Sequence, residues 1–418
     1  MKSPQAPSTL TSPRLSAGAP PLWATLLDIF PAVLAGLIAV LISYAGPLLL
    51  VLQAAQSAQL SAAQTTSWIW AISIGAGLCG VALSLRTKMP VICAWNTPGA
   101  ALLAVGLVTT PYEQAIGAYL TASALMLIVG VSGLFERLMA IVPKSLCAAL
   151  LAGILLRFGV DVFKATQSTV QGAPLLVAAM FVGYLGFKRY SARYAIPLTL
   201  LLGVAVWLGF GWGQDPRAVA PSAATLAWAI PAWTSPVFTW GATFSLALPL
   251  ALLCLTGQQV PGVAVMRSAG YQAPTSQLVS GTALASLLLA PFGAHGVNLA
   301  AITAAICTGP EAHQQSDKRW VAGVACGMFY LLIGSFAGLI TLTFAQLPQV
   351  LVTAVAGLAL LGAIQTGLIN ALAEPAEREA AMVTFLVTAS NVTVLGLGSA
   401  CWGLVLGLAT FAALRVKP

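Results

Sequence analysis

Two stretches decide the fold. The first is Pro90-Val-Ile-Cys-Ala-Trp-Asn96-Thr97-Pro98-Gly99-Ala-Ala-Leu-Leu103, and the second is Pro291-Phe-Gly293-Ala-His295-Gly296-Val-Asn298-Leu-Ala-Ala-Ile302. Each is hydrophobic, each is interrupted by Pro and Gly, and Asn96 and Asn298 lie 202 residues apart. Unpaired backbone is costly in lipid, so irregular chain at membrane depth survives only inside protein or along a cavity. A matched pair of broken hydrophobic segments in two halves of one chain points to the binding site of a transporter.

The composition around these stretches agrees. Of 418 residues, 59% are hydrophobic and 7% are charged, against roughly 25% charged in a soluble domain. That balance excludes a soluble fold of this size and leaves a polytopic membrane protein. The net charge of +8 comes from basic residues scattered at span ends, so it reads as membrane orientation rather than a nucleic-acid patch. The seven Cys are isolated, without CxxC or Cys/His metal spacing, which argues against a disulfide framework or a zinc site. No phosphate loop, hydrolase elbow or zinc-protease signature occurs, and Thr308-Gly309-Pro310 lacks the Lys a phosphate loop needs. The chain therefore reads as a non-enzyme without a cofactor, driven by an ion gradient rather than by ATP.

A span needs about 20 apolar residues, and the chain holds about fourteen such segments. Twelve run over 24–50, 68–86, 113–133, 144–165, 173–188, 194–211, 242–260, 274–290, 318–345, 348–370, 380–395 and 397–414; the broken ones are 90–108 and 291–309. Residues 1–20 read as a cytoplasmic tail, not a removed signal. With a cytoplasmic N-terminus, all Lys and Arg fall on the cytoplasmic side except Arg157, Lys164 and Arg217. This asymmetry supports an even number of spans with both termini cytoplasmic; the expected location is a bacterial inner membrane. Pro47 and Pro249 repeat the 202-residue offset, Pro90 and Pro291 are 201 apart, and Pro143 and Pro348 are 205 apart. Each half holds an odd number of spans, which inverts the second copy. The expected fold is an all-α 7+7 inverted repeat with spans 3 and 10 broken.

In each broken span a short extended piece should lead into a half-helix. Pro98 suits a first helical position with Asn96 or Thr97 as cap, and Asn298 is the expected cap of the second. Inversion brings the two positive helix ends together at Thr97–Gly99 and Asn298–Leu299, a natural site for an anion or for acceptor atoms. Gln258 and Gln259, deep in an apolar run before Pro261-Gly262, either bind substrate or bond neighbouring backbone. His295 is either a proton carrier or a packed histidine. Asp28 is a second coupling candidate unless it is solvated at the interface. Tyr44, Trp95 and Phe292 flank the crossing as a candidate aromatic wall, although aromatics in spans usually pack. Arg157 and Asp161 read as an intrahelical pair, and Glu311, His313 and Asp317 as a solvated loop rather than a metal site.

The stretches Ala94–Leu103, Gln258–Arg267, Ala269-Gly270-Tyr271 and Asn298–His313 resemble the benzoate transporter (BenE) family, across roughly residues 20–415. That family looks related to the nucleobase/ascorbate and sulfate permeases. The resemblance implies a core domain (21–133 with 242–346) and a gate domain (134–241 with 347–418). It also implies proton-coupled uptake of benzoate and a homodimer. Related uracil-type permeases carry acidic residues where this chain has Gln258, Gln259, His295 and Asn298. Loss of those carboxylates suits an anionic substrate and leaves the proton carrier open. The expected substrate-binding set is Tyr44, Trp95, Asn96, Thr97, Gly99, Gln258, Gln259, Gly262, Phe292, His295, Asn298 and Leu299. The alternatives are a nucleobase or inorganic-anion permease on the same scaffold, and an uncoupled anion channel.

Overall fold

The two broken spans meet as strands. In the computed structural model, β1 (Cys93–Trp95) pairs antiparallel with β2 (Val297–Leu299) inside a helical bundle. The structure describes residues 22–45, 47–135, 137, 143–190, 195–210, 228–345, 347–395 and 397–415. The expected tail at 1–20 and Arg217 lie outside them.

Among the described residues, seven helices are long and apolar enough to cross a membrane unaided. The first such span joins α1 (Leu22–Ala45) to α2 (Pro47–Ser57). It runs to Ser57 rather than ending at 50, because Pro47 starts a new helix instead of stopping the old one. The others are α3 (Ala62–Thr87), α5 (Tyr112–Val131), α6 (Lys144–Lys164), α9 (Trp240–Ser268), α10 (Thr275–Leu289) and α14 (Gln349–Ala371). An eighth is the pair α12 (Trp320–Ser335) and α13 (Ala337–Ala345), bent by 64°. Shorter helices complete the fourteen segments: α4 (Thr97–Gly106), α7 (Ala173–Tyr190), α8 (Ala195–Gly209), α11 (Ile302–Thr308), α15 (Arg378–Ala389) and α16 (Ser399–Arg415).

Local chemistry explains several boundaries. α3 begins before the expected 68 because Ser61 and Gln64 form a capping box. α9 continues past residue 260, where the sequence reading ends the span, and contains two π-helical stretches, Thr243–Ala247 and Leu255–Gln259. Each stretch ends two residues before a proline, Pro249 or Pro261. A proline removes one N–H and its ring crowds the carbonyl four residues back. The wider π turn relieves that crowding and lets the helix continue.

The packing repeats with the sequence. α3 packs on α12, and its counterpart α10 packs on α5; α1 packs on α12, and α9 on α5; α7 packs on α8, and α15 on α16. The pairs β1–β2 and α6–α14 map onto themselves. Such a pattern requires a pseudo-two-fold axis between the halves. Close approach uses small residues, as where a side chain at Gly77 would strike the Gly327 carbonyl. The largest fully buried side chains, Trp68, Trp95, Tyr119 and Tyr330, surround the strand crossing. Ala229, Thr234 and Val237 hydrogen-bond to Ser335, Pro291 and Glu113, so the segment 228–239 straps three elements on one face.

Candidate functional site

The local axis can be located to one residue pair. The strand register pairs Cys93 with Leu299, Ala94 with Asn298 and Trp95 with Val297. Trp95 and Val297 are themselves 202 apart, so they sit on the axis, and Asn96 lies beside Gly296. A Cβ built on Gly296 would stand 3.2 Å from Asn298 Nδ2 and 3.3 Å from Asn96 Nδ2. Gly296 has φ +153°. A side chain at Gly296 would therefore crowd the point where two amide nitrogens converge.

The two asparagines are held differently. Asn96 caps α4: its Oδ1 accepts from Gly99 N at 3.0 Å, and its Nδ2 donates to Cys254 Sγ at 2.7 Å. Asn298 does not cap α11, contrary to the expectation. It is a strand residue, and the chain stays extended because Leu299 pairs with Cys93 and Ala300 N–H donates to the Ile92 carbonyl. The helix starts only at Ile302; no proline fixes φ there as Pro98 does in the first copy. Asn298 Oδ1 instead accepts from Gln259 Nε2 at 3.2 Å; Asn298 Nδ2 faces the Cys254 thiol but completes no hydrogen bond, and Gln259 Oε1 has no partner. Asn298 and Gln259 are fully buried.

His295 joins this centre. Trp68 Nε1–H donates to its Nδ1 at 2.9 Å, so the proton resides on Nε2, which lies 3.0 Å from the Asn96 carbonyl. Tyr44 rests edge-on against Trp95, with ring centroids 5.1 Å apart, and shares a hydrogen bond with Ser73. Trp95 Nε1 is buried without a partner. Gly99, Gly257 and Gly262 allow close approach: a Cβ at Gly99 would collide with the Asn96 amide, at Gly257 it would touch Pro98, and at Gly262 it would lie 2.5 Å from Leu299 Cβ. Thr97 and Gln258 are half-buried in this otherwise closed region. Phe292 turns away to Trp70 and Trp233.

Asp28 lies apart from the amides. It bonds to Lys318 at 2.7 Å and to His313 at 3.2 Å, tying α1 to the loop before α12. Arg319 donates to the carbonyls of Thr308 and His313, closing the end of α11. The Arg157–Asp161 pair forms along α6 at 3.5 Å.

Among the described residues, no Asp, Glu, Lys or Arg is buried. The polar groups at the crossing are the amides of Asn96, Gln259 and Asn298, the Thr282 hydroxyl, the Cys254 thiol and the His295 ring, donors and acceptors together. Cys254, Thr282 and Trp68 belong to this network and were not anticipated. Cys254 precedes the Gln258-Gln259 pair by one helical turn, a spacing that places it on the same side.

An inverted-repeat bundle whose broken spans cross at a buried, uncharged polar centre is a membrane transporter. The fold is shared with SLC26A9 (TM-score 0.61, 14% identity, 94% of this chain and 67% of that one). It is also shared with the transmembrane domain of the cyanobacterial bicarbonate transporter BicA (0.57, 14%, 95% and 98%). Residues 28–413 match the family described as benzoate membrane transport protein, BenE. The chain is 43% identical to the benzoate membrane transport protein of Acinetobacter baylyi and 42% identical to the inner membrane protein YdcO of Escherichia coli, in each case over 92% of this chain and 96% of the relative. The chain belongs to the benzoate membrane transport protein family.

Proposed function

We propose that this protein imports benzoate or a similar aromatic carboxylate together with protons across the bacterial cytoplasmic membrane, by alternating access. The observation that carries the reading is the unpartnered Asn298 Nδ2, a fully buried donor beside the Asn96 amide in a region without buried charge. A carboxylate placed there gains charge-assisted hydrogen bonds without facing a like charge. Thr97–Gly99 adds the positive end of α4, Gln258 and Gln259 line the approach, and Tyr44 and Trp95 supply an apolar wall for the ring. Relatives named for benzoate transport support the choice of substrate. Both termini are cytoplasmic in this reading, and the protein works as a homodimer.

The group formed by α1–α5 and α9–α13 acts as the core. It moves against a gate formed by α6–α8 and α14–α16. His295 is the favoured coupling residue. A proton arriving at Nδ1 must displace the Trp68 N–H, and Nε2 transmits that change to the Asn96 carbonyl. Asp28 is the second candidate, at the cytoplasmic end of α1.

The test is uptake of labelled benzoate into proteoliposomes under an inward proton gradient. Wild type should show gradient-stimulated uptake. His295→Gln keeps a donor and an acceptor but cannot titrate, so it should retain benzoate counterflow and lose the stimulation. Gradient-independent wild-type uptake contradicts symport. Uptake blocked by sulfate or uracil but not by benzoate would favour the other permease reading.

A further inference from the structure

Thr282 lies on α10 and is fully buried. Its hydroxyl proton is committed to the backbone, 3.0 Å from the carbonyls of Leu278 and Val279. The oxygen can then act only as an acceptor toward a neighbouring side chain. Gln259 Nε2 lies 2.8 Å from it, and the requirement for a donor there fixes which end of the Gln259 amide faces Thr282. The second N–H of the same nitrogen reaches Asn298 Oδ1. That contact in turn fixes Asn298, whose oxygen faces Gln259 and whose nitrogen is left free. Three side chains thus form a relay with one direction, from the α10 backbone to Asn298.

We infer that Thr282 is the positioning residue that sets the polarity of the candidate site: through Gln259 it holds Asn298 with its donor, not its acceptor, free for substrate. An amide has two ends of nearly equal size, and nothing intrinsic to Asn298 chooses between them. A free acceptor there would repel a carboxylate. The relay belongs to the second repeat alone, because the residue 202 positions before Thr282 is Gly80, which has no side chain. Asn96 needs no relay, since the Gly99 N–H fixes its oxygen directly. The inference rests on the proposed binding of a carboxylate at Asn298, and it adds discrimination between a carboxylate and an isosteric carboxamide.

The experiment measures competition by benzoate and by benzamide against labelled benzoate in purified, reconstituted protein. Thr282→Val keeps the shape and removes the acceptor. Gln259 and Asn298 can then turn, and Asn298 can offer its oxygen to the benzamide N–H. The preference for benzoate over benzamide should fall about tenfold, the scale of one hydrogen bond to a charged group. Thr282→Ser restores the hydroxyl and should restore the preference. Gln259→Leu breaks the relay at its middle and should reproduce the loss, even if Thr282→Val does not fold. An unchanged preference in Thr282→Val or Gln259→Leu, while Asn298→Ala abolishes binding, overturns the relay alone. Full benzoate binding by Asn298→Ala overturns the site reading and the relay with it.

Discussion

The half-helices α4 and α11 occupy equivalent places in the two repeats, yet their surroundings differ. Ala100 on α4 is 0% exposed, whereas Ile302, 202 residues later on α11, is 80% exposed. α4 is covered by α2, α9 and α6, while α11 leans mainly on α1 and the last part of α9. α4 thus also reaches α6, beyond the helices of its own packing group. Under the proposed alternating access, two elements related by symmetry and unequal in exposure mark one of two exchangeable states. In the proposed cycle this state is closed around α4 and open around α11, the cytoplasmic side, and exchange of the two environments is transport.

The comparison can be broken in three ways. The largest effect is expected at Gly296, where the repeats touch. Gly296→Val puts a branched side chain between the two amide nitrogens at a φ unsuited to it, so benzoate uptake should disappear from proteoliposomes. Partial uptake would mean that the space is not needed. A smaller contrast concerns exposure. All seven native cysteines are buried, so a hydrophilic maleimide should label Ile302→Cys readily and Ala100→Cys hardly at all. Equal labelling would remove the asymmetry. The smallest effect sharpens the difference between the asparagines. Asn96→Ala removes a helix cap worth about 1 kcal/mol and should lower the Tm by a few degrees. Asn298→Ala removes no cap and should leave the Tm closer to wild type. The reverse order would contradict their assigned roles.

Much of this was legible in the residues. Pro98 and Gly99 announce a helix start after Asn96, and the shared 202-residue offset announces the repeat, because both depend on local backbone chemistry. The partnering of β1 with β2 was not legible, since three-residue strands acquire their register only from each other. The persistence of the strand through Ala300, which denies Asn298 its cap, depends on the Ile92 carbonyl supplied by the other repeat. The π stretches before Pro249 and Pro261 were equally hidden, because a proline in a helix pattern ordinarily signals an end or a kink. Phe292 looked like site wall from its neighbours in sequence, but Trp70 and Trp233 claim its ring. Thr282 carried no signal, as a threonine in a helix usually bonds only its own backbone.

In the proposed function the amide donor of Asn298 receives the substrate's carboxylate. This placement is tested most directly by equilibrium binding of labelled benzoate to purified wild type and Asn298→Asp, which matches the amide in size and replaces the donor with a negative charge. Affinity should fall at least about tenfold with the fold intact, the scale of a lost hydrogen bond to a charged group. Unchanged benzoate affinity in Asn298→Asp would contradict it.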